Sequence, residues 1–99
     1  MIIVLGTVRL PPERLQAARP HMRAMVEGSR AEAGCLQYAY AEDVLESGLI
    51  HVSERWRDQA ALELHRQTPH MAAWRAVGPT LGITGRDLAT AEVEALEPL

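Results

Sequence analysis

The segment LIHVSERW, residues 49–56, alternates apolar and polar side chains, so Ile50, Val52, Glu54 and Trp56 share one face while Leu49, His51, Ser53 and Arg55 share the other. A strand of this pattern needs a cover for its Ile-Val-Trp face, and helices are the natural cover. It also carries a carboxylate into that cover. Burial favours the protonated form of a carboxylate unless a donor or a cation compensates. Whatever fold the chain adopts must therefore roof this strand and find a partner for Glu54.

The remaining segments supply the roof. Residues 2–10 read as a second apolar strand, stopped by Pro11-Pro12. Pro12 suits a first helical turn, and Leu15, Ala18, Met22 and Met25/Val26 recur at helical spacing as far as Arg30, with a kink expected at Pro20 and a stop at Gly34. Leu36, Tyr38 and Tyr40 alternate again, and DVLESG provides turn chemistry, so residues 35–57 read as a hairpin. Asp58 can cap the short helix QAALELHR. Thr68-Pro69 then opens another helix, with Met71, Trp74, Val77 and Leu81 along one side.

The tail is pulled two ways. Its composition favours helix, narrowly, whereas Ala89, Ala91, Val93 and Ala95 alternate with Leu88, Thr90, Glu92 and Glu94 as a strand would. With a strand there, the order is β-α-β-β-α(α)-β. That is the ferredoxin-like split βαβ arrangement of the α+β class, an antiparallel four-stranded sheet with helices on one face. Residues 1–99 form one domain. The sheet face away from the helices is bare, which predicts a homodimer formed by sheet-face packing.

Charge and composition exclude several classes. The net charge is -3, and all ten basic residues are Arg, scattered among acids, so no nucleic-acid footprint exists. No apolar run approaches the roughly 20 residues that span a bilayer. The N-terminus has no signal-peptide pattern, and the lone Cys35 suits a cytoplasmic home. With no Phe in the chain, Trp56, Trp74, Tyr38 and Tyr40 supply the aromatic packing.

The expected partner for Glu54 is His65, on the helix that packs over its face. Such a hydrogen bond would fix the tautomer of the ring and turn its second nitrogen toward a ligand. A satisfied structural contact is the competing reading. Trp56, Tyr38 and Trp74 are candidate walls for an aromatic ligand, with Met22 as a further lining residue and His70 at the mouth. His51 falls on the opposite face, toward a dimer contact, and His21 toward solvent. Cys35 reads as a small buried residue. His65 and His70, five residues apart, do not share a helix face, so no metal site is expected.

EAGCLQYAY and VSERWRDQAALELHRQTPHMAAW together resemble the antibiotic biosynthesis monooxygenase domains, including the quinol monooxygenase group. The resemblance lies in the Gly-Cys step into the second strand, the Glu-x-Trp pair ending the third, and a His followed by a Thr-Pro-His helix start. It runs from the first strand to near Leu81 and implies a dimeric α+β barrel whose tail is a fourth strand. It also implies a pocket between sheet and helices in each subunit. The implied chemistry is oxidation of a quinol or aromatic polyketide by molecular oxygen, with neither metal nor flavin and with His65 and Glu54 as the catalytic pair. Relatives of this kind also degrade haem or isomerise a phosphorylated sugar. The haem branch relies on an Asn in the first strand, and this chain contains no Asn. A non-catalytic, small-aromatic-binding or stress-related dimer is the alternative.

Overall fold

The computed structural model describes residues 1–99. Strand β1 spans Ile2–Arg9, and a 3-10 turn at Pro12–Arg14 leads into helix α1, Leu15–Arg30. Strands β2, Cys35–Glu42, and β3, Leu49–Trp56, form the expected hairpin. Helix α2, Gln59–Arg66, is capped by the Asp58 carboxylate, which accepts the Ala61 amide at 2.8 Å. Helix α3, Pro69–Val77, starts at Thr68, whose hydroxyl accepts the Met71 amide. A 3-10 turn at Gly78–Leu81 then leads to strand β4, Thr84–Glu92.

The tail is thus a strand, against its helical composition. Pairing decides it: Ile3 meets Ala91 and Leu5 meets Ala89, so β4 hydrogen-bonds along most of β1. A ladder of backbone bonds outweighs helix preferences of a few tenths of a kcal/mol per residue. The sheet order is β2-β3-β1-β4, antiparallel at every pairing. This is the split βαβ arrangement. Helix α1 continues through Pro20 to Arg30 without a break.

Period two sorts the sheet as the sequence requires. Ile2, Val4 and Val8 of β1, Tyr38 of β2, and Ile50, Val52, Glu54 and Trp56 of β3 are buried beneath the helices. Leu5 and Arg55, one step out of phase, are exposed on the other face. The buried side chains form two clusters. One gathers Trp56, Tyr38, Met25, Leu62 and Met71, and the other Ile50, Val8, Leu15, Ala18, Met22 and Leu81. No helix is long and apolar enough to cross a membrane.

Candidate active site

Between the sheet and helices α2 and α3 lies a cavity of about 690 Å³. Val4, Val8, Val52, Leu62, Met71 and Leu88 give it apolar walls, with Tyr38, Tyr40 and Trp74 as its aromatic side chains. Glu54 and His65 also line it. Glu54 is only 6% exposed and His65 only 3%. Period-two reasoning therefore placed the carboxylate on the correct face.

The Glu54–His65 hydrogen bond does not form. Glu54 Oε1 accepts instead from the indole Nε1 of Trp56 at 2.8 Å. The two residues stand two apart on one strand face, where side chains are neighbours, so the nearest donor lay within the strand itself. Burial raises the Glu54 pKa above the ordinary carboxylate value, and the Trp56 hydrogen bond opposes that shift. Trp56 is fully buried and does not line the cavity; it closes over the ring of His65, with centroids 4.4 Å apart. Its expected place as a substrate wall is taken by Trp74 and the tyrosines. Met22 lines a different groove, between α1 and β2, because its turn of α1 faces the second core cluster.

His65 has another partner, Glu32, in the connection between α1 and β2. The Nδ1 of His65 lies 2.7 Å from Glu32 Oε2, and the Nε2 of His70 lies 2.8 Å from the same oxygen. An ionised carboxylate accepts and cannot donate, so each ring presents an N–H to it. His65 is then the Nδ1–H tautomer, and its Nε2 carries a lone pair. No protein group bonds that Nε2. Burial lowers the His65 pKa, and the Glu32 hydrogen bond pulls it partly back, so the ring is neutral near pH 7. His70 joins the Glu32 bridge and is absent from the cavity lining.

Two glycines make this convergence possible. A Cβ on Gly34 would meet the Ala61 Cβ at 2.3 Å, so only glycine lets the Glu32 connection lie against α2. A Cβ on Gly28 would stand 2.8 Å from the His70 ring. Sequence reasoning missed Glu32 because it lies in a connection, where no periodicity assigns a side chain to a face. Its two-residue spacing from Gly34 was the available signal.

The expectation that the two histidines could not converge also needs correction. It treated them as one helix, but α2 ends at Arg66 and α3 begins at Pro69, and the corner between them swings His70 back toward His65. Ligand atoms of Glu32, His65 and His70 all lie within 4.8 Å of one another. Two imidazoles and a carboxylate are donors that suit a divalent metal. The spacings of 2.7 and 2.8 Å about a single oxygen are those of hydrogen bonds. His51 bonds Asp43 across the hairpin at 2.8 Å. Cys35 is half-buried, not buried as expected, and that burial raises its thiol pKa, which keeps it a poor nucleophile.

Comparison with known proteins agrees with this architecture. The family model described as antibiotic biosynthesis monooxygenase matches residues 1–77. The chain belongs to the antibiotic biosynthesis monooxygenase family. YcnE of Bacillus subtilis, provisionally named a monooxygenase, is 30% identical over 93 residues, covering 94% of this chain and 98% of its own. The uncharacterised protein sll1783 of Synechocystis is 32% identical over 80 residues; the match covers 81% of this chain but only 54% of that longer protein. A crystal structure from Deinococcus radiodurans, provisionally named an antibiotic biosynthesis monooxygenase, superposes with a TM-score of 0.90 at 25% identity, covering 100% of this chain and 99% of that one. The TM-score of 0.90 over the whole chain shows that the two proteins share their fold.

Proposed function

We propose that this protein is a cofactor-independent monooxygenase acting on a quinol or a related hydroxylated aromatic, with His65 as the general base. One observation carries the reading. A carboxylate holds Nδ1 of His65, leaving Nε2 unbonded on a ring that lines an aromatic-walled cavity. Nε2 takes the proton of a substrate hydroxyl, and the resulting anion is electron-rich enough to pass an electron to molecular oxygen. For a phenolic substrate the products are a quinone and water. One oxygen atom enters the ring, the other leaves as water, and the ring supplies the four electrons.

Glu32, not Glu54, is the group that orients the base. Glu54 acts through Trp56, holding the indole over the His65 ring, where its π face favours the imidazolium formed on proton transfer. Tyr38 and Trp74 provide flat surfaces for the substrate. The working unit is a homodimer, in which the bare sheet face carrying the exposed Leu5 is covered by a second copy.

Oxygen uptake with a panel of hydroquinones and naphthols, in metal-free buffer, tests the reading. Wild type is expected to consume oxygen. His65→Ala should lower kcat/KM by about 10²–10⁴, the usual contribution of a general base. Glu32→Gln should lose less, since it keeps an acceptor for Nδ1–H. Equal rates for wild type and His65→Ala would remove catalysis from this site and favour a pocket that only binds its aromatic.

A further inference from the structure

The cavity has an unbalanced charge. Its lining includes three arginines, Arg66, Arg75 and Arg86, and a single acid, Glu54, whose burial favours the neutral form. All three arginines are exposed, whereas the deeper walls are buried, so the positive groups stand at the mouth. Arg66 is neutralised by Glu63, and Arg75 donates to the Arg66 carbonyl oxygen, which leaves its charge unmatched.

Arg86 has no partner whatever. Eight of the ten arginines donate hydrogen bonds within the chain, and Arg55 and Arg86 donate none. Arg55 pairs with Ile3 on the opposite face of the sheet. Arg86 lies on β4, two residues before Leu88, and both line the cavity. Burial raises the pKa of both Glu54 and Tyr40 at the floor, and the charge of Arg86 opposes that rise. A guanidinium over an apolar cavity, with its five donors free, matches one ligand feature: an oxyanion attached to an apolar body.

We propose that the substrate is a hydroxylated aromatic bearing an anionic substituent (carboxylate, sulfonate or phosphate) that Arg86 binds at the cavity mouth, with Arg75 adding to the field. The inference rests on the reading of this cavity as an aromatic site. It gives the bound ring a direction: anion toward β4 and α3, hydroxyl inward toward His65. Substrate selection then falls to Arg86, and proton transfer to His65.

Calorimetric titration with two matched probes tests this: 2-naphthol, and 6-hydroxy-2-naphthoate, which adds a carboxylate across the ring system. Wild type should bind the carboxylate about tenfold or more tightly at low salt, a difference of about 1.4 kcal/mol, and added salt should shrink the ratio. Arg86→Ala should bring the ratio close to one, Arg86→Lys should keep part of it, and Arg55→Ala should keep it in full. 6-Hydroxynaphthalene-2-sulfonate, bound as well as the carboxylate, identifies a general oxyanion site; rejection of the sulfonate narrows the substituent to carboxylate. Equal binding of 2-naphthol and 6-hydroxy-2-naphthoate by wild type, or an unchanged ratio in Arg86→Ala, overturns the anion site while leaving the aromatic pocket standing. Failure of both probes to bind overturns the pocket and the anion site together.

Discussion

Glu54 and His65 are each buried, and each found a different partner from the one that alternation alone suggests. Their burial has opposite consequences for pH. Glu54 has a raised pKa in the folded state, so its protonation favours folding below about 4.5, and that stability is lost as pH rises through the folded value. Glu54→Gln removes the buried charge and keeps an acceptor for Trp56. Thermal melting should therefore show the variant gaining on wild type at pH 8 relative to pH 4; a parallel shift at both would contradict a strained carboxylate. His65 has a lowered pKa, so its contribution is fully present above about 6.5 and lost as pH falls through the folded value. As a base it must be neutral. The acid limb of kcat/KM should accordingly lie below the 6.5 of a free histidine. A limb at or above that value would assign the titration to another group.

At the scale of elements, the site is made by the approach of a loop to a helix corner. Gly34 permits the Glu32 connection to touch α2, and the α2–α3 corner returns His70 to His65. Gly34→Ala overpacks this contact, because the new methyl would lie 2.3 Å from the Ala61 Cβ. A destabilisation of about 1–3 kcal/mol is expected from denaturant unfolding. The same variant should displace Glu32, so the His65 imidazole resonances should shift by NMR even under conditions where the protein remains folded. Full stability in Gly34→Ala would mean that the loop has room to relax. The helices themselves were legible: Asp58 and Thr68 act as caps, and apolar residues recur at helical spacing. Glu32 was not legible, since a loop carboxylate has no period from which its direction follows.

At the scale of the whole molecule, a four-stranded sheet roofed on one face leaves the other to solvent. Light scattering coupled to size exclusion should give twice the 10.9 kDa chain mass, and Leu5→Arg, at the centre of the bare face, should shift the species toward monomer. A monomeric wild type would leave the bare face without its proposed cover. What the sequence determined by itself was everything carried by periodicity and punctuation: the first three strands, the helices, their order, and the inward direction of Glu54. These follow from covalent geometry, since alternation and the 3.6-residue turn assign a side chain to a face without knowledge of neighbours. Tertiary structure decided what each inward group meets. The backbone ladder on β1 made the tail a strand, the Glu32 loop took His65 from Glu54, and β4 set an unpartnered arginine over the cavity. Such pairings depend on distances between segments far apart in the chain, and those distances exist only once the sheet has closed and the helices have packed upon it.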